Sequence, residues 1–205
     1  MPEAMLIRAA QMRRIPWKNG LGFTEEILAW RPDGDSSETP FLWRISRAAV
    51  DQDGPFSVFP GVDRTIVVLS GKGMVLSHGI HAPPATVLPL APYAFSGDWT
   101  THAKLLAGPV VDFNVMADRT FARTHVAVQD LVPGQDLPDE QADHILVHVI
   151  RGKIVRASIY GMSSVELTAS DSILFATSTR ADSGGIYQAT EETSLLVARI
   201  WRRGA

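Results

Sequence analysis

Apolar and polar residues alternate along this chain with a period of two rather than 3.6. In Phe41-Leu42-Trp43-Arg44-Ile45-Ser46-Arg47, the large residues Phe41, Trp43 and Ile45 fall on one face, with Leu42, Arg44 and Ser46 opposite. Thr65 to Leu69 is a β-branched and aliphatic run, the pattern of a buried strand. The same reading predicts strands over 26–30, 74–77, 86–90, 112–116, 144–150, 154–160, 172–175 and 195–201. Turn-forming clusters such as Asp51-Gln52-Asp53-Gly54-Pro55 and Val132-Pro133-Gly134 separate them. No segment carries a sustained amphipathic helical stripe. Many short strands joined by turns predict an all-β barrel or sandwich.

An internal echo sharpens this expectation. Val67-Val68-Leu69-Ser70-Gly71-Lys72-Gly73-Met74-Val75 reads as a strand, a Gly-Lys turn and a second strand. His148-Val149-Ile150-Arg151-Gly152-Lys153-Ile154-Val155 repeats that design. A similar interval then leads to Tyr93-Ala94-Phe95 in one half and Ile173-Leu174-Phe175 in the other. Such repetition predicts two copies of one β unit. The expected fold is all-β: a bicupin of two cupin-type jelly-roll β-barrels. Residues 1–118 would form the first barrel and 119–205 the second, joined near 118–126. The acidic stretch 130–143, with Pro133 and Pro138, reads as an exposed excursion.

Composition narrows the class. A chain of 205 residues with 45% hydrophobic content can bury a real core. A formal net charge of -3 offers no basic footprint for nucleic acid or an anionic membrane. No window approaches the apolar length of a membrane span. The first residues, with Glu3, Arg8, Arg13 and Arg14 around a short apolar stretch, lack a signal-peptide layout. The absence of cysteine rules out disulfides and thiol chemistry and fits a cytoplasmic location.

Polar residues interrupt the strands of the first half: Glu26, Arg44, Arg64, Asp112 and Asn114. Burying a charge is costly unless it is paired or meets a ligand. Together they point to a polar pocket in the first barrel. Arg64 follows the Phe59-Pro60-Gly61 turn and leads into an apolar strand, which places a guanidinium at a barrel mouth. Arg44 and Ser46 lie on the face opposite Trp43. Asp112 and Asn114 share a face by the period of two, and Glu26 is placed to orient either arginine. Lys18 and Asn19 sit in a loop that can fold over the opening, with Trp17 as a wall. A small dicarboxylate suits this set, because guanidinium matches a carboxylate two prongs at a time. Plainer readings stand beside it. Arg64 can hold a strand end by pairing with Asp63 or Asp112, and Arg44 can face solvent. Trp17 and Trp43 can be core aromatics, and Lys18-Asn19-Gly20 can be an ordinary turn.

Ordered motifs then favour the pocket. Pro16-Trp17-Lys18-Asn19-Gly20, Thr24-Glu25-Glu26-Ile27, Trp43-Arg44-Ile45-Ser46 and Asp53-Gly54-Pro55-Phe56-Ser57 are followed by Phe59-Pro60-Gly61-Val62-Asp63-Arg64. Phe95-Ser96-Gly97-Asp98 and Gly108-Pro109-Val110-Val111-Asp112-Phe113-Asn114-Val115-Met116 complete the series. This order resembles the HutD/Ves family over most of the first 116 residues, with no comparable motif beyond 118. The resemblance implies a bicupin fold and an association with histidine utilisation. It also implies a regulator that senses a pathway intermediate, with N-formylglutamate or a close relative as ligand. The chain departs from the family pattern at Leu21, where glycine is usual, and at Glu25, where arginine is usual.

Metal chemistry needs ligands that share a strand face. His78 and His81 are three apart, and His144 and His148 straddle Ile145-Leu146-Val147 with no third ligand apparent. His102 and His125 stand alone. No metal or other cofactor is expected, and no nucleophile elbow, P-loop or Rossmann fingerprint is present. Two classes remain. The leading one is a non-catalytic regulator that binds a small, formylglutamate-like anionic metabolite. The alternative is a metal-free cupin enzyme, an isomerase or hydrolase, with Lys18 or Glu26 as its acid–base group. An interaction scaffold, or a homodimer built by pairing an exposed sheet edge, is a further option.

Overall fold

The computed structural model describes residues 4–17, 22–31, 41–137, 142–156, 164–176 and 187–204. Apart from one 3-10 turn at Ala9–Gln11, the regular structure among them is strand. In chain order the strands are β1 (Ala4–Ile7), β2 (Arg13–Pro16), β3 (Gly22–Trp30), β4 (Trp43–Val50), β5 (Gly54–Pro55) and β6 (Val62–Ser70). There follow β7 (Met74–Ser77), β8 (Ala85–Val87), β9 (Tyr93–Ser96), β10 (His102–Leu105), β11 (Val110–Asp118) and β12 (Ala122–Leu131). The last six are β13 (His144–Arg151), β14 (Lys153–Arg156), β15 (Val165–Thr168), β16 (Ser172–Ala176), β17 (Tyr187–Ala189) and β18 (Thr193–Arg202). Among the described residues no helix is long and apolar enough to cross a membrane.

The chain divides into two compact units. One holds Arg13–Thr124 and Arg202–Ala205; the other holds Met1–Met12 and His125–Trp201. The first contains a six-stranded sheet in the order β2-β3-β4-β11-β6-β9 and a four-stranded sheet β5-β10-β7-β8. The second contains a five-stranded sheet β1-β16-β13-β18-β12 and a three-stranded sheet β15-β14-β17. The order β9-β6-β11-β4 thus recurs as β16-β13-β18-β12, and β8-β7-β10 as β15-β14-β17. The predicted duplication is present. Each unit is a two-sheet cupin jelly roll, and the sheets do not close into hydrogen-bonded barrels.

The Gly-Lys turns are the hinges of the repeat. Gly71 and Gly152 take φ of 97° and 81°, a left-handed backbone that favours glycine. A Cβ on either would lie 2.6 Å from the Pro109 carbonyl or 2.4 Å from that of Glu192. Within the first unit, Ile66, Val68, Met74, Leu76 and Phe95 form a buried cluster. Within the second, Ile145, Val147, Leu167, Phe175, Leu195 and Val197 do the same.

The first strand departs from the expected layout. Residues 1–118 were assigned to the first unit, yet β1 pairs with β16, from Ala4 opposite Phe175 to Ile7 opposite Ser172. Asp171 fixes that strand: it accepts from Arg8 at 2.7 Å, from the Ala9 amide at 3.1 Å and from the Thr168 amide at 3.1 Å. Pairing at such sequence separation leaves no local signal. The region near 118–126, expected as the junction, holds the division between the units at Thr124 and His125, but as strand rather than linker: the chain turns at Asp118–Phe121 and enters the ten-residue β12. That strand ends its sheet, and its polar positions disguise a period-two pattern carried by Val126 and Val128.

Candidate ligand-binding site

One face of the six-stranded sheet carries the polar residues. On β4, Arg44, Ser46 and Ala48 alternate with the fully buried Trp43 and Ile45. Register sets Met116 beside Arg44, Asn114 beside Ser46 and Asp112 beside Ala48. On the other flank of β11, Met116 meets Arg64, Asn114 meets Ile66 and Asp112 meets Val68. Directly opposed residues share a face, so Arg44, Ser46, Arg64, Asp112 and Asn114 converge. With Trp17 they line a cavity of about 450 Å³, closed by Pro55 of β5 and by Phe56, Ser57 and Phe59 that follow it. That volume lies within the range of small-molecule sites, about 300–1,000 Å³.

Arg64 is the anchor of the cavity. It is 7% exposed, and its guanidinium carbon sits 5.3, 5.6 and 4.9 Å from the ring centres of Phe56, Phe59 and Phe95. The negative faces of aromatic rings favour a cation held this way. Nη1 donates to the Ser57 carbonyl at 3.2 Å and Nη2 to Oδ1 of Asn114 at 2.8 Å, while Nε has no partner. Asn114 passes the contact on, donating through Nδ2 to Oδ1 of Asp112. Arg64 therefore meets Asp112 through an amide rather than by a direct ion pair. Asp63, the other proposed partner, pairs with Arg119 at 3.0 Å instead.

Burial dominates the charge states. It pushes the Asp112 carboxyl up to about 7, against the pull of the Arg64 charge and the Asn114 hydrogen bond. It also draws Arg64 down to about 10, with Asp112 opposing the shift and Arg44 adding to it. The guanidinium stays charged at neutral pH, and the carboxyl titrates near it.

The remaining site residues fall as follows. Glu26 does not line the cavity; it grips Arg44 at 2.9 Å and Arg31 at 3.3 Å, so it orients Arg44 but not Arg64. Trp17 forms one wall, and its indole donates to Thr24 at 2.8 Å. Lys18, Asn19 and Leu21 lie outside the described residues. Glu25 points away from the cavity to Arg47 and Arg14, so its reversed charge does not enter the site. Phe56, Phe59 and Phe95, motif residues with no chemistry of their own in the sequence, form the cage around Arg64. Their apolar character signals only burial. His78 is fully buried and bonded to Thr101 at 2.9 Å and Tyr93 at 3.0 Å. Among the described residues no three His, Asp or Glu side chains gather as a metal set.

At the corresponding positions the second unit carries apolar residues, with the buried Arg199 at the place of Met116. Counting back from Gly71 and Gly152, Ile145 stands where Arg64 does. Register then puts Val197 at the place of Asn114 and Leu195 at that of Asp112. All three belong to the second unit's core.

Comparison with known proteins completes the description. The sequence pattern of a family described as HutD matches residues 9–193. A Pseudomonas putida protein, described as an uncharacterized 21.2 kDa protein in the hutC 3' region, is 44% identical over 117 residues, covering 57% of this chain and 59% of its own. Protein Ves of Citrobacter koseri is 37% identical over 123 residues, covering 58% of this chain and 62% of its own. The chain thus matches about three fifths of each curated relative's length. Among solved structures, a conserved protein of unknown function from Pseudomonas aeruginosa PAO1 superposes with a TM-score of 0.79 at 30% identity, over 97% of this chain and 99% of that one. HutD from Pseudomonas fluorescens SBW25 gives a TM-score of 0.72 at 29% identity, over 98% and 100%. A putative glyoxylate-induced protein from Pseudomonas aeruginosa, at 11% identity and a TM-score of 0.70 over 100% and 91%, shares the fold.

Proposed function

The chain belongs to the HutD family, and we propose on that basis that it is a non-catalytic regulator that senses an anionic intermediate of histidine breakdown, with N-formylglutamate as the ligand. Its family and the HutD structure link it to histidine utilisation. The observation that carries the ligand class is Arg64: a desolvated cation, caged by aromatic rings, lining a cavity and lacking a direct carboxylate partner. Such a group gains most from an incoming carboxylate, because charge-assisted bonds replace water it has already lost. Arg44 lies in the same cross-strand row, separated from Arg64 by Met116. Two strand spacings, about 10 Å between backbones, let two arginine side chains reach both ends of one short dicarboxylate.

Titration calorimetry with N-formyl-L-glutamate, L-glutamate and formate tests this reading. Saturable binding of N-formyl-L-glutamate, tighter than that of formate, is the expected result; no heat with any of the three would remove the ligand class. At a hundred times its dissociation constant the ligand should add about 2.7 kcal/mol to stability. A metal-free hydrolase or isomerase is the second reading, and it now rests on Asp112, a cavity carboxyl titrating near neutrality. Release of formate from N-formyl-L-glutamate, followed by NMR, would favour it over the regulator.

A further inference from the structure

Binding an anion at Arg64 leaves Asp112 without a settled charge. Its carboxyl lines the same cavity in a residue only 1% exposed. Asn114 bridges the two, so an ionised Asp112 is the counter-charge that Arg64 already has. An entering carboxylate supplies that counter-charge a second time. Two carboxylates sharing one buried cation repel, and a proton on one of them relieves the conflict. Among the described residues no other group takes up the difference. The charged residue acting on Asp112 is Arg64 from β6; Arg44 from β4 lines the same cavity farther along the sheet and is already held by Glu26 of β3. The opposite wall offers Pro55, Phe56 and Ser57, and the β2 side Trp17, none of which titrates near neutrality.

We propose that an anion bound at Arg64 takes up a proton on Asp112, which makes Asp112 the residue that sets the charge the cavity accepts. A carboxylate with no cation of its own, as in an N-acylated amino acid, enters together with a proton. A zwitterionic amino acid would instead bring an ammonium to meet Asp112 as the carboxylate, and no proton would be needed. The proton is within reach, since burial alone already holds the carboxyl close to neutral pH. This inference uses the proposed function only in that Arg64 holds a carboxylate; the identity of the metabolite does not enter.

Formate is the suitable probe, being the smallest carboxylate and fully ionised from pH 6 to 9. Protein labelled with ¹³C at its aspartate carboxyls is titrated by NMR with and without saturating sodium formate. Formate affinity is measured over the same range for wild type and for Asp112→Asn. Saturation should raise the Asp112 midpoint by a unit or more. Above the free midpoint the wild-type dissociation constant should rise by up to about tenfold per pH unit, while Asp112→Asn shows no pH dependence. An Asp112 titration unmoved by saturating formate overturns the proposal. So does formate that does not bind, or a variant that keeps the wild-type slope. If Asp112→Asn fails to fold, the wild-type titration decides alone. Formate coupled to Asp112 alongside no binding of N-formyl-L-glutamate would sink the ligand assignment and leave the coupling standing.

Discussion

Arg64 concentrates the chemistry of the site in one side chain, and its replacement separates the effects that surround it. Arg64→Ala should weaken binding of an anionic ligand by about 2–4 kcal/mol, the range for removing one side of a buried charged contact. Arg64→Lys should also lose affinity, since a point charge cannot keep the contacts to Ser57 and Asn114 and still fork toward a carboxylate. Calorimetry on variants with unchanged circular dichroism checks both, and full affinity in folded Arg64→Ala would move the anion site elsewhere. Arg64, Asp112 and Asn114 were legible because charge and amide inside β-branched strands conflict with burial. Period two correctly put Asp112 and Asn114 on one face. The partners were less legible. Asn114 reaches Arg64 across fifty residues of sequence and Phe95 comes from β9, while Phe56 and Phe59 stand near Arg64 in the chain but show only apolar character. No local pattern encodes them.

At the scale of elements, the turn-and-strand repeat was readable because a Gly-Lys hairpin needs a left-handed glycine and leaves that mark in the sequence. Strand β1 left none. It is four residues long, and its pairing partner lies more than 160 residues away. What holds it is Asp171. Burial acts to raise the pKa of that carboxyl, but hydrogen bonds from the Thr168 amide, Arg8 and the Ala9 amide outweigh burial and hold it low. A carboxyl with a lowered folded pKa stabilises above its unfolded value, and the contribution fades as pH falls through the folded one. Asp171→Ala should therefore cost about 2–4 kcal/mol at pH 7, and less in acid. Urea melts at pH 7 and pH 3 test the difference. Hydrogen exchange should accelerate first at the amides of β1; unchanged protection there would mean that the sheet, not the carboxyl, secures the strand.

For the whole molecule, the two units share a topology but not a site, and this bears on both pH response and stoichiometry. Asp112 is the buried group whose folded pKa lies well above its unfolded one. The native state therefore binds more protons than the unfolded chain between about pH 4 and 7, and stability contributed at this position falls as pH rises through that window. Asp112→Asn should flatten the fall and be more stable than wild type at pH 8, as denaturant midpoints would show. An equal loss in both proteins would assign the slope to other groups. The second unit is built differently at the corresponding positions. Where the first places Arg64, Asn114 and Asp112, it places Ile145, Val197 and Leu195, and these side chains fill its core. On that face the second unit has a buried cation of its own, Arg199 opposite Ile145 with His125 at 3.3 Å, so an anion there would meet a cation without the polar row that frames Arg64. Calorimetry should thus return one ligand per chain, with its affinity lowered by Arg64→Ala and no second isotherm left unaffected. Two equivalents per chain, or a site of unchanged affinity in that variant, would show that the second unit also binds ligand and that recognition does not depend on the polar row of the first unit.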